Sequence, residues 1–122
     1  MSFSFEGMTE FQRKVLELLM RIPKGKVTTY GEIARALGRD SSSRAVGNAV
    51  RNNPYPVRIP CHRVIRSSGE IGGFGGDLTG KKVAMKIKLL TEEGVHIDRM
   101  GRIDLQEYLV KGEKLVGVPK KS

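Results

Sequence analysis

A chain of 122 residues and 13.5 kDa makes one domain with room for one site, which excludes a two-lobed enzyme. Hydrophobic residues at 39% and charged residues at 29%, with 6% aromatics and no Trp, are the composition of a soluble folding domain and exclude a disordered or fibrous chain. Lys and Arg number 22 against 13 Asp and Glu, and the resulting charge of +9 points to a polyanionic partner, nucleic acid ahead of an anionic membrane.

Residues 1–8 (MSFSFEGM) have no basic start, apolar run or cleavage site of a signal peptide, and no apolar run nears the roughly 18 residues of a membrane span. An intracellular protein without membrane attachment is expected. Over residues 9–20, Phe11, Val15, Leu18 and Leu19 fall at helical spacing, with Thr9 as cap, and Ile22-Pro23-Lys24-Gly25 stops the helix. A second helix is predicted over residues 30–37, capped by Thr28 or Thr29 and ended by Gly38. Residues 41–52 open on serines, set Ala45, Val46, Ala49 and Val50 along one stripe, and are closed by Pro54. Two short helices joined at Gly38-Arg39-Asp40 have the outline of a helix-turn-helix, whose second member enters the major groove. The charge agrees: between Asp40 and Glu70 there is no acidic residue, but there are Arg44, Arg51, Arg58, Arg63 and Arg66.

Residues 67–80 (SSGEIGGFGGDLTG) are glycine-rich. Gly75 to Lys82 follows the phosphate-binding loop pattern except at its last position, where Lys82 replaces the magnesium-binding Ser or Thr, so a loop closing on a flat ligand is the better reading. A helix over residues 81–93 should face Val83, Ile87, Leu89 and Leu90 inward, with Gly94 as stop. Val95-His96-Ile97 and Gly101-Arg102-Ile103 flank a polar turn and predict a small β-hairpin, followed by a short helix over residues 105–110. The expected fold is mainly α, a winged-helix-like helix-turn-helix domain with a small β-hairpin over residues 1–111, followed by a loose basic tail over residues 112–122.

The single cysteine, Cys61, excludes an internal disulfide, and with only His62 and His96 beside it no structural zinc site is expected. It lies in Ile59-Pro60-Cys61-His62-Arg63-Val64, where Pro60 restricts the backbone and His62 and Arg63 supply a base and a positive charge, an environment that lowers a thiol pKa. At pH 7 a thiol of pKa about 8.5 is only a few per cent thiolate; lowering it by about two units makes thiolate the majority. Adjacent side chains diverge, so a water or an orienting carboxylate would complete a Cys–His–acid arrangement.

The run Pro60-Cys61-His62-Arg63-Val64, preceded by Arg44-Ala45-Val46-Gly47-Asn48-Ala49 and by Asn53-Pro54, closely resembles the O6-alkylguanine-DNA alkyltransferases, from about residue 9 to residue 109. That resemblance implies a protein that flips O6-alkylguanine out of double-stranded DNA and takes the alkyl group irreversibly onto its cysteine. It implies Cys61 as acceptor, His62 as the base acting through water, Glu93 as the acid that orients the histidine, and Asn53 as the hinge after the recognition helix. Tyr30 would donate to the flipped purine and Arg44 would fill the gap in the base stack, on a DNA face with Ser43, Ala45, Asn48 and Arg51. The carbonyls of Cys61 and Val64 would read the guanine amino group, and Gly72, Phe74 and Gly75 would cover the base. No metal or organic cofactor is expected, and the expected state is a monomer. The alternative is an alkyltransferase-like protein that binds lesions without repairing them; such relatives lack the cysteine, and this chain has it.

Overall fold

Helix α1, Glu10–Leu19, begins where Thr9 Oγ1 accepts the Gln12 amide at 3.0 Å, and it buries Val15, Leu16, Leu18 and Leu19. The computed structural model describes residues 4–38, 42–72 and 80–116. Strand β1, Thr28–Thr29, runs directly into α2, Tyr30–Leu37, because the Thr29 side chain caps the helix by accepting the Glu32 amide. Helix α3, Ser43–Arg51, is capped by Ser42 and buries Val46, Ala49 and Val50. Thr9, Thr29 and the serine run thus act as the sequence predicts, since each offers a short side-chain oxygen to an otherwise unbonded first-turn amide. Packed together, α1, α2 and α3 enclose the larger core, which also takes in Ile59, Cys61 and Val64.

Cys61–Arg63 is a 3-10 turn that leads into β2, Val64–Ile65. β1 and β2 pair in parallel, Thr28 with Val64 and Thr29 with Ile65. This sheet has no counterpart in the sequence reading, since two-residue strands leave no alternation to detect. Behind it lies a second cluster of Val27, Ile65, Leu90, Val95 and Ile103. The mainly helical helix-turn-helix fold stands, but the small β-hairpin expected at residues 95–103 is a turn. Two backbone bonds close it, Asp98 N–H to the Arg102 carbonyl at 2.9 Å and Gly101 N–H to the Asp98 carbonyl at 3.0 Å, the Asp98 carboxylate takes the amides of Met100 and Arg102, and Arg102 bridges instead to Glu70.

Helix α4, Lys81–Glu92, corrects a second expectation. Ile87 does not face inward but is 38% exposed, while Lys86 is 1% exposed and shares the buried face with Leu90. The rotation has a polar cause: Lys86 Nζ donates to the carbonyls of Val64 and Ile71, each at 2.8 Å. Helix α5 covers only Leu105–Tyr108. The folded domain also extends past residue 111, because Gly112–Leu115 forms α6 and Leu115 is 1% exposed in the larger core. Gly112 packs against the Glu32 carbonyl so closely that any Cβ would overlap it. Residues 117–122 of the expected tail lie outside the described residues.

Candidate active site

The chain leaves α3 through Asn53, whose carboxamide fixes the loop by donating to the Ile59 carbonyl at 2.9 Å and accepting the Tyr55 amide at 2.9 Å. Val57 sits within that loop at φ 73, an uncommon conformation for a β-branched residue. The Val57 backbone and the Asn53 side chain both act to lower the Cys61 pKa. The 3-10 turn then buries Cys61 to 6% exposure and His62 to 1%.

His62, Arg63 and Glu93 form one cluster. His62 Nε2 lies 3.0 Å from Glu93 Oε2, Arg63 Nε donates to Oε1 at 2.9 Å, and Arg63 Nη2 donates to Oε2 at 2.7 Å. The remaining Arg63 donor, Nη1, reaches the Ile22 carbonyl at 2.7 Å in the loop after α1. That loop also touches the end of α4: Gly25 has φ +88, and a Cβ there would lie 3.2 Å from the Glu93 carbonyl oxygen. Burial alone would raise the Glu93 carboxyl, but the hydrogen bonds from Arg63 and His62, and their charges, hold it down to about 2. Burial lowers the His62 pKa, and Glu93 only partly opposes that. His62 is therefore a neutral imidazole near pH 7, with Nε2 aimed at a carboxylate. Its Nδ1 is buried and has no hydrogen-bond partner among the described residues.

The thiol departs from expectation. Burial pushes the Cys61 pKa up, and hydrogen bonds from Asn53 and Val57 together with the Lys86 charge only partly offset this. Arg63, expected to lower it, is held by Glu93 instead. The resting sulfur is a protonated thiol that needs a base. Lys86 itself is drawn down to about 7 by burial, with Cys61 acting to raise it and Arg66 to lower it. Three features of the site escape a reading of the sequence: Lys86, the pairing of Arg63 with Glu93, and Val57. The first had one available signal, a lysine four residues before Leu90 on the apolar stripe of α4.

Tyr30 opens α2 and is partly buried, and its pKa is raised by burial first and Cys61 second, so its hydroxyl keeps its proton. At the next residue, Gly31, a Cβ would lie 2.8 Å from Ser67 Oγ and 3.7 Å from Ser43 Oγ, which brings the starts of α2 and α3 to the stretch after β2. Ser43, Arg44, Asn48 and Arg51 are exposed along α3, Ala45 is partly buried, and Arg51 Nη1 donates to Asn48 Oδ1 at 3.4 Å. Of the carbonyls expected to read a base, that of Cys61 already accepts the Val64 amide and that of Val64 accepts Lys86, leaving one lone pair on each. Gly72 is described, at φ +77 against the Arg66 side chain; Phe74 and Gly75 lie outside the described residues. An open groove of about 390 Å³ runs past Gly72 between Arg66, Ile71, Val83, Ile87 and Met100, and takes in neither Tyr30 nor Val64. Among the described residues no group of three or more His, Cys, Asp or Glu could hold a metal ion, and no helix is long and apolar enough to cross a membrane.

The chain that carries this turn-borne cysteine, its carboxylate-backed imidazole and the basic helix α3 is similar to known proteins. The family described as "6-O-methylguanine DNA methyltransferase, DNA binding domain" matches residues 10–95. A methylated-DNA–protein-cysteine methyltransferase of Methanothermobacter thermautotrophicus is 45% identical over 94 residues, 77% of this chain and 49% of that protein. The solved structure of Mycobacterium tuberculosis OGT in complex with DNA is 42% identical with a TM-score of 0.62, over 70% of this chain and 50% of that one. S. pombe Atl1, solved in complex with damaged DNA containing O6-carboxymethylguanine, is 36% identical with a TM-score of 0.66, over 85% of this chain and 97% of that one. The chain spans about half the length of the curated methyltransferases it matches. It belongs to the 6-O-methylguanine DNA methyltransferase DNA-binding-domain family.

Proposed function

We propose that this protein repairs DNA by moving an alkyl group from O6 of guanine in duplex DNA onto Cys61, once per molecule. The observation that carries the reading is the turn holding a buried thiol next to a neutral imidazole whose Nε2 faces Glu93 and whose Nδ1 has no partner among the described residues. His62 Nδ1 takes the thiol proton through a water, and the sulfur attacks the alkyl carbon in line with the C–O6 bond. As the S–C bond forms, the C–O6 electron pair passes to the purine, and the protonated Tyr30 hydroxyl donates to it as charge develops. Guanine is restored. The product is a thioether, a poor leaving group, and the chain holds no second thiol to remove the alkyl group.

Flipping the base costs a few kcal/mol, least for a damaged pair, and Arg44 inserted into the stack offsets part of it. Incubation with a duplex carrying one O6-methylguanine should add one methyl mass to the Cys61 peptide, with yield stopping at one per protein. Arg44→Ala should slow transfer from the duplex about tenfold or more and transfer from the free modified base little, because only the duplex has a gap to fill. Equal losses on both substrates would remove that role.

A second reading is lesion recognition without repair, favoured by the likeness to S. pombe Atl1, which was solved in complex with damaged DNA containing O6-carboxymethylguanine. Tight binding of the lesion duplex with an unmodified Cys61 would establish it.

A further inference from the structure

We propose that Arg63 is a positioning residue for the transfer: by holding both oxygens of Glu93 it keeps His62 neutral and protonated on Nε2, so that Nδ1 remains open to the Cys61 proton. A buried histidine against a lone carboxylate tends toward the imidazolium, with a hydrogen on both nitrogens and no lone pair to act as a base. Here the carboxylate is shared. Arg63 grips it through Nε to Oε1 and Nη2 to Oε2, and Nη1 on the Ile22 carbonyl anchors the guanidinium to the loop after α1. Oε2 therefore meets His62 Nε2 at 3.0 Å with much of its charge already satisfied. The charged groups acting on His62 are Glu93 at the end of α4, Arg63 on its own turn and Lys86 on α4; the first favours the imidazolium and the other two oppose it. The bidentate grip also holds the carboxylate in one orientation, and with it the imidazole ring. No redox step is involved: the S–H bond of Cys61 breaks and an N–H bond forms at Nδ1.

The inference rests on Cys61 being the acceptor, and its test separates the two. In 15N-labelled wild-type protein without DNA, long-range 1H–15N correlation spectra from pH 5 to 9 should show His62 as the Nε2–H tautomer, with a titration midpoint below 6.5. In Arg63→Met the midpoint should rise by about one unit. The acid limb of methyl transfer from an O6-methylguanine duplex should move with it, costing up to about tenfold in rate relative to wild type at a pH below both midpoints. A wild-type midpoint at or above 6.5, an Nδ1–H tautomer, or an unchanged midpoint in Arg63→Met overturns the proposal. The wild-type spectrum decides alone if Arg63→Met does not fold. A wild type that titrates as expected but takes no methyl from the duplex would sink the reading of Cys61 and with it the role of Arg63 in transfer, leaving only the effect of Arg63 on the His62 midpoint.

Discussion

On the proposed mechanism, Cys61→Ala should abolish methyl transfer from an O6-methylguanine duplex, while affinity for that duplex should stay within about twofold. The expectation follows from where the chemistry and the binding reside. A thiolate is a far stronger nucleophile toward an alkyl carbon than the imidazole, amine or phenol beside it, and the chain has one cysteine, so no other thiol substitutes for it. On the proposed reading, binding rests on other groups, chiefly Arg44 in the base stack and the cationic Arg51 on the exposed face of α3, neither of which depends on a buried sulfur. Cys61 lines the larger core, so alanine leaves a void one atom in size and costs about 1 kcal/mol, too little to unfold the domain. The measurement is retention of a radiolabelled methyl group on protein in a denaturing gel, beside a mobility shift with the same duplex. Label on the alanine variant, or a loss of binding that matches the loss of transfer, would defeat the expectation.

The second large effect concerns Lys86 and stability. Its ammonium titrates at about 7 in the folded protein against 10.5 for a solvated lysine side chain, with burial as the main cause. Between those values the unfolded chain binds the extra proton and the folded one does not. Stability therefore rises with pH, by up to about 1.4 kcal/mol per unit. Below pH 7 both states carry the proton and the penalty is constant. The neutral amine still has two N–H groups for the Val64 and Ile71 carbonyls, so deprotonation relieves the buried charge without breaking the clamp. Cys61 works the other way above about pH 9, because its raised folded pKa keeps a proton that the unfolded thiol gives up. The useful window is about pH 7 to 9. Lys86→Met fills the same channel but orphans two carbonyls. It should be less stable than wild type by about 2–4 kcal/mol at pH 9, with the gap narrowing toward pH 7. Urea midpoints at pH 7, 8 and 9 test this, and parallel pH slopes for the two proteins would contradict it.

What could be read in the sequence was local. Thr9, Thr29 and Ser42 mark helix starts because a cap acts over three residues, and the helical period of α1 and α3 is visible in windows of about ten. Cys61 and His62 stood out because adjacency in the chain is itself the signal. Glu93 came from resemblance alone, since 31 residues separate it from His62 and no local rule joins them. Lys86 and the two-residue strands were missed for a related reason. A buried lysine depends on carbonyls supplied by distant segments, and β1 and β2 are too short to carry a period. The thiol's electrostatics went the wrong way because Arg63, next in sequence to His62, is engaged by a carboxylate that only the tertiary fold brings near.

The strip of backbone at residues 27–29 joins two remote parts of the chain. Val27 exchanges bonds with Tyr108 and Val110, at 2.9 and 2.8 Å, Thr28 Oγ1 reaches the Val110 carbonyl at 2.7 Å, and Thr28–Thr29 pairs with Val64–Ile65. During synthesis, then, Cys61 and His62 leave the ribosome long before the segment that seals the strip beneath them. Most of the loop-closure entropy is spent before these contacts form, which is the signature of slow, late assembly. A chain still tethered at residue 100 would carry its cysteine on an unfinished turn, and reactivity should begin only once residues 108–115 have emerged and docked.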